Sequence, residues 1–413
     1  MRHSKELCAS MNSPRLIKSL RAFGSVVVSA SMALTLTTGC ASSGVATSPE
    51  VDASEDVLAA PAPRLKVQWR AQATNAEGWA YLPQEYAKPV FLPRHDDLVV
   101  ASSYGYLTRF RAGSGEVVWR EYLTERGAAD GKPLMIHADP VVVDDVIYLA
   151  SMSGVVEARS LDHGELLWRY QADNSVESSI VVEGGRLFMM DAGETLSALD
   201  SATGKLLWRY KRRSPEYFTI KGAGVPVVDG DAVYCGFSDG TLAAIQIDTG
   251  EAIWTSDLSN DETEFTDVDT QAIVSGELIY ISSYAGGVFA VSRLDGTIQW
   301  QAPVPSVTRM IKRGQDLIVA SATGRVVSLN VKERQMNWSF KFQQHTPVEL
   351  AYFGPYVFVS TTAGPLSVLD LETGNLLTRW NPSQGFNVPV VFEQRRGFIV
   401  SNSGYLYSFE VAF

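Results

Sequence analysis

Tryptophans recur along this chain at a near-constant interval, and that ruler constrains the fold more than any other feature. They stand at Trp69, Trp119, Trp168, Trp208, Trp254, Trp300, Trp338 and Trp380, on average about 44 residues apart over the seven intervals, with only Trp79 outside the series. A fixed period of this length marks a repeat architecture, in which each unit is one supersecondary element that cannot bury its apolar face alone. A Gly stands four residues before the Trp in five units, at Gly115, Gly164, Gly204, Gly250 and Gly296. Arg334 takes that place before Trp338, and Gly374 lies six residues before Trp380.

Every unit repeats one grammar. An apolar run such as Val146-Ile-Tyr-Leu-Ala-Ser meets a small Gly-bearing turn, a second alternating run such as Val326-Val-Ser-Leu follows, and an Asp/Thr/Gly turn leads into a run ending in Trp. Period-2 runs bounded by Gly, Asp and Ser at short spacing predict antiparallel β-strands joined by hairpins. Arranging such sheets around an axis buries both faces of each and leaves only short edges. The count predicts an all-β, eight-bladed β-propeller of four-stranded antiparallel blades. Its last unit, residues 388–413, stops before any Trp-bearing strand, while Leu65-Lys-Val-Gln-Trp69-Arg70 has no unit in front of it. The N-terminal strand is therefore expected to join the last blade and close the ring. One ring takes up the length that would otherwise suggest two or three domains.

The start of the chain is different in kind. Residues 1–39 carry Arg2, Lys5, Arg15, Lys18 and Arg21 against Glu6, so the overall net charge of −11 divides into +4 there and −15 in the rest. A basic start followed by the apolar run 22–36 reads as a secretory signal, too short to span a bilayer. It ends at Gly39-Cys40. Gly-Cys directly after such a run resembles the lipobox of bacterial lipoproteins, which implies acylation of Cys40; Thr37 stands where a Leu is usual, and the alternative is a signal whose cysteine is incidental. Met1 and Met11 are both possible starts. Residues 41–63 are small, acidic and Pro-containing, and read as a flexible tether. The expected organisation is a signal over 1–39, a lipidated Cys40 and tether over 40–63, and the propeller over 64–413. The acidic balance argues against nucleic acid as a partner. Cys235, within Val233-Tyr234-Cys235, is expected as a thiol buried in a strand.

Few residues suggest chemistry. Gly236-Phe-Ser238-Asp-Gly240 matches the spacing of a nucleophile elbow, but that elbow requires a strand leading into a helix, and here the segment aligns with the hairpin turns of the other units. His3, His95, His137, His163 and His345 show no metal-ligand spacing, and the acidic run 260–269 lacks the spacing of a calcium loop. No metal, cofactor or catalytic residue is expected. Ala198-Leu-Asp200-Ser-Ala-Thr203-Gly204-Lys-Leu-Leu-Trp208 resembles the repeats of quinoprotein dehydrogenases, whose outer-strand Trp packs between neighbouring blades. Those enzymes are longer and many carry adjacent cysteines beside the cofactor; this chain has no Cys-Cys pair.

Lipobox, tether and bare blades together resemble the BamB family of outer-membrane assembly lipoproteins. Asp267-Val-Asp269-Thr270 reproduces an Asp-x-Asp-Thr sequence of that family, and Phe218-Thr-Ile220-Lys221-Gly222 resembles its Leu-Ser-Leu-Arg-Gly loop. The resemblance implies a non-enzymatic scaffold on the periplasmic face of the outer membrane. Phe218, Ile220 and Lys221 would contact the barrel-inserting partner, a BamA-like protein, with Asp267 and Asp269 nearby. Nascent outer-membrane proteins would be further clients, added at blade edges. Lys in place of Arg gives up a bidentate grip on a carboxylate. Read from residues alone, Tyr217–Ile220 is either an exposed apolar interface loop or a strand within a blade. The alternative function is another periplasmic propeller, a quinone-dependent dehydrogenase or a binder of a different envelope protein.

Overall fold

The computed structural model describes residues 61–74, 85–125, 131–212, 224–259, 267–382 and 384–412. Among them, 32 strands form eight four-stranded antiparallel sheets, with no helix. Blade 1 spans residues 90–122, blade 2 141–171, blade 3 181–211, blade 4 227–257, blade 5 273–302, blade 6 307–341 and blade 7 347–380. Blade 8 joins 391–412 to residues 64–72 from the other end of the chain, as the half-units at the two ends predict.

Within a blade the chain runs outward from a short inner strand. In blade 2 the inner strand is Val141–Val143, followed by Val146–Ala150 and Val155–Ser160, whose residues are almost all buried, and by the outer strand Leu166–Gln171. Both faces of the middle strands press on neighbouring blades, which is why they read as continuous apolar runs. Because successive strands reverse, the hairpins between second and third strands share one face with the links from blade to blade. Ala172 N–H donates to Gly154 O at 2.8 Å and Val176 N–H to Ser151 O at 3.0 Å across that connector face. The remaining turns, including the Asp/Thr/Gly turns, lie on the opposite turn face.

The Trp ruler is a latch between blades. The indole N–H of Trp69, Trp119, Trp168, Trp208, Trp254 and Trp338 donates to a backbone carbonyl in the corresponding turn of the next blade, as Trp119 to Leu161, Trp168 to Ser201 and Trp208 to Ile247 at 2.8–2.9 Å. The Gly of that turn lies beneath the ring: a Cβ on Gly204 would meet Cε3 of Trp168 at 2.5 Å, and one on Gly250 would meet Trp208 at 2.7 Å. The Gly therefore serves the Trp of the preceding unit, not the Trp four residues after it. The seventh unit shows why its spacing is off. Val368 pairs with Thr378 where Ala198 pairs with Trp208, so Thr378 occupies the latch position and Trp380 sits two residues beyond it. Trp380 packs instead against Phe386 of the link into the closing blade and against Tyr407 and Phe409 of that blade.

The closing strand Arg64–Gln72 pairs antiparallel with Tyr405–Ala412, from Arg64 opposite Ala412 to Gln72 opposite Tyr405. Leu65, Trp69 and Ala71 add to an apolar cluster with Phe398, Tyr407 and Phe409. Cys235 is buried in the strand Ala232–Gly236, and burial pushes its thiol well above the usual range, leaving it unreactive. The Gly236–Gly240 segment forms the hairpin that the repeat requires, since Phe237 N–H donates to Thr241 O at 2.9 Å.

Candidate functional site

Asp267 and Asp269 lie in the link that enters blade 5, and the link is held from both sides. Val268 N–H donates to Phe237 O of the blade 4 hairpin at 3.2 Å, and Tyr284 N–H of the blade 5 hairpin donates to Asp267 O at 2.9 Å. Gly236 makes the crossing possible, because a Cβ there would run into the Val268 carbonyl. Thr270 Oγ1 accepts from Ser282 N at 3.1 Å and bonds Ser282 Oγ at 2.8 Å, fixing the segment's turn into the inner strand Ile273–Ser275. The Asp267 side chain is buried and that of Asp269 half-buried.

The fold brings two further carboxylates to them. Glu194, in the blade 3 hairpin, accepts Ser238 N–H at 3.1 Å and Ser238 Oγ–H at 2.7 Å, so the Ser238 hydroxyl is committed to a structural bond. Asp239 pairs with Arg212 at 2.6 Å. Burial holds the Glu194 carboxyl above the ordinary range against its Ser238 bonds, with Asp239 and Asp267 adding repulsion. Asp269 is pushed up to about 6, chiefly by burial and further by Asp267. The result is a connector-face cluster of carboxylates from three consecutive blades.

Glu194, Asp239 and Arg212 were not singled out from the sequence, though one signal was present. Glu194 fills the hairpin position that is Gly105, Gly154, Gly240, Gly324 and Gly404 in other units, and it adopts their left-handed conformation with φ 60°. A non-Gly residue costs roughly 1–2 kcal/mol there, and such strain concentrates at functional sites. Phe218, Ile220 and Lys221 lie outside the described residues, as do Cys40 and Trp79. In the chain Phe218, Ile220 and Lys221 fall between Arg212, which is tied to Glu194 and Asp239, and Gly224, which abuts Gly236.

The same face opens onto the axis. Alternate residues leading into each inner strand are buried between blades, while the others are partly exposed towards the centre, as in His137 to Val141. At one equivalent level stand Lys88, Asp139, Ser179, Arg309 and Glu349. Asp139 pairs with Lys88 at 2.9 Å and accepts Ser179 Oγ–H at 2.8 Å, and Arg309 pairs with Glu349 at 3.1 Å. Burial of the Glu349 carboxyl outweighs Arg309 and Lys88 and, with Asp139 opposing it, raises it to about 7. One step further in, the positions are Val90, Val141, Val181, Val227, Ile273, Ile311, Ala351 and Val391, an apolar girdle. Among the described residues no group of His, Cys, Asp and Glu is placed to hold a metal ion.

Residues 103–340 match the family model described as outer membrane protein assembly factor BamB. The chain is 24% identical over 381 residues to that factor from Shewanella oneidensis, covering 89% of this chain and 94% of the relative. It is 23% identical to the Escherichia coli protein over 328 residues, 65% of this chain and 83% of the relative. Among solved structures, BamB from Moraxella catarrhalis superposes with a TM-score of 0.70 at 18% identity, over 84% of this chain and all (100%) of that one. The fold is shared more widely: quinohemoprotein alcohol dehydrogenase from Comamonas testosteroni reaches a TM-score of 0.63 at 12% identity, over 84% of this chain and 76% of the enzyme.

Proposed function

The chain belongs to the BamB family of outer membrane protein assembly factors, and from that premise we propose that it is a non-enzymatic scaffold which captures the barrel-inserting partner on its connector face. An acyl chain on Cys40 would hold it to the periplasmic side of the outer membrane, with residues 41–63 as the tether. The contact is made by Phe218, Ile220 and Lys221, with Asp267 and Asp269 beside them. The observation that carries this reading is convergence: Asp267 and Asp269 share a face with Arg212 and Gly224, the residues flanking the 213–223 segment. Apolar contacts rimmed by charge are what a protein interface needs. Outer strands with a free edge and exposed Leu166, Leu167, Leu206 and Leu207 support a second contact, with extended nascent chains that add to a blade.

The test is a pull-down from detergent-solubilised outer membranes. Wild type recovers a BamA-like protein, while Lys221→Glu with Phe218→Ala loses most of it and Asp269→Asn reduces it. Equal recovery with the variants, or none with wild type, overturns the reading. Dye reduction on added quinone would favour an enzyme instead.

A further inference from the structure

Blade 5 breaks its own repeat at one turn. The position whose carbonyl receives the latch bond is Ala112, Leu161, Ser201, Ile247 or Leu371 in other units, with Val331 at the equivalent place in blade 6, and the residue after it is Gly113, Asp162, Ala202, Asp248, Glu372 or, in blade 6, Lys332. In blade 5 the pair is Arg293-Leu294, a cation followed by a large apolar residue. The backbone is unchanged, since Trp254 Nε1 still donates to Arg293 O at 3.1 Å. The side chains are not. Arg293 reaches away to pair with Asp229 and to bond Tyr234 OH at 3.3 Å. Leu294 is left 81% exposed, and Ile253 across from it is 52% exposed. Between them a cleft of about 210 Å³ opens, lined by Tyr234, Ile253, Trp254, Glu277, Arg293 and Leu294.

We infer that this cleft, on the turn face and rim of blades 4 and 5, is a docking point for a polypeptide segment carrying a large apolar side chain flanked by Lys or Arg. The size supports the apolar part, because a cavity of roughly 150 Å³ already takes a benzene ring, and exposed Leu and Ile at its lip gain by being covered. Charge supplies the rest. From residue 224 to 308 Arg293 is the sole Lys or Arg against 13 Asp and Glu; Glu277 lines the cleft, and the turns of blades 4 and 5 add Asp231, Glu251 and Asp295, besides Asp229 and Asp248, which pair with Arg293 and Arg186. Such a field attracts a basic segment and repels an acidic one. It excludes this chain's own residues 41–63, which hold Glu50, Asp52, Glu55 and Asp56 and no base, and a second copy, whose net charge after residue 39 is −15. This inference is independent of the connector-face reading, since it concerns the opposite face.

The test uses the mature chain and three fluorescent hexapeptides: Lys-Arg-Leu-Leu-Arg-Lys, the same peptide with Ser for both Leu, and Glu-Glu-Leu-Leu-Glu-Glu. The first is expected to bind at least tenfold more tightly than either other, and to weaken with added salt. Leu294→Ser and Ile253→Ser, both at exposed positions of the cleft lip, each cut that binding at least tenfold, whereas Val117→Ser, equally exposed on blade 1, leaves it unchanged. Basic peptides that bind alike with Leu or Ser overturn the inference, as does wild-type binding by both cleft variants. Neither result bears on recovery of a BamA-like protein through Phe218 and Lys221.

Discussion

Gly204 lies flat beneath the indole of Trp168, one blade back, with room for a hydrogen and nothing larger: an added Cβ would meet Cε3 at 2.5 Å and Cδ2 at 2.7 Å. The two residues are separated by 36 positions in sequence, so the contact ties blade 2 to blade 3 where no ladder hydrogen bond does. The same indole donates to Ser201 O at 2.8 Å, so stacking and hydrogen bond act on one turn.

Gly204→Ala is predicted to cost about 3–4 kcal/mol. Its φ of +71° costs an L-residue roughly 1–2 kcal/mol, and forcing a methyl into a packed ring adds about 1–3. Gly276→Ala is the control. It has a similar φ of +63° but nothing within 4 Å, so only the first cost applies. Urea unfolding of the two variants checks this, and equal losses would show that the Trp contact contributes nothing.

The fold was legible because the Trp interval, the turn glycines and the half-units at the two ends are each consequences of a closed ring of blades. What escaped was partnership across units. Gly204 and Trp208 are close in sequence, yet the physical pair is Gly204 with Trp168, because the latch reaches forward to the next blade. Trp380 kept the interval while leaving the latch position, since an average period tolerates a two-residue shift and a ladder register does not. At the site, Asp267 and Asp269 carried a local motif. Glu194 and Asp239 carried none, and joined them only when three consecutive blades were laid side by side.

Glu85 gives a prediction for pH. It is buried, with Oε2 accepting Ser103 N–H at 2.9 Å, and burial raises its carboxyl from 4.5 to about 7 against that bond. The folded state therefore holds the proton more tightly than the unfolded chain does. Its contribution is full below about 4.5 and is lost as pH rises through about 7. At about 1.4 kcal/mol per unit the loss is on the order of 3 kcal/mol. Glu85→Gln keeps an acceptor for Ser103 and cannot ionise. The variant is expected to match wild type near pH 4.5 and to exceed it above pH 8 by about that amount. Parallel stability curves for the two proteins across this range would remove Glu85 as the cause.

The ring has one seam without a covalent link, between residues 64–72 and 405–412, and Trp69 crosses it. Its ring lies 6.2 Å from that of Phe398 on the far side of the seam, while its Nε1 donates to Ala112 O of blade 1 at 3.0 Å on the near side, so one indole joins the two. Trp168 makes the equivalent latch in the middle of the chain, where backbone joins the blades on both sides. Trp→Ala removes roughly 3–5 kcal/mol of packing at either place, but the consequences should differ in kind. At Trp168 the weakened contact is still held by its neighbours, so the loss is shared by the whole cooperative unit and lowers global stability. At Trp69 the strand can leave alone, which is a sub-global opening. Trp69→Ala is therefore expected to speed amide exchange across Tyr405–Ala412, the strand paired with the seam, well before exchange rises in Val155–Ser160 of blade 2. Trp168→Ala raises both together. If Trp69→Ala accelerates exchange uniformly, the seam is not a separate opening unit and the ring unfolds only as a whole.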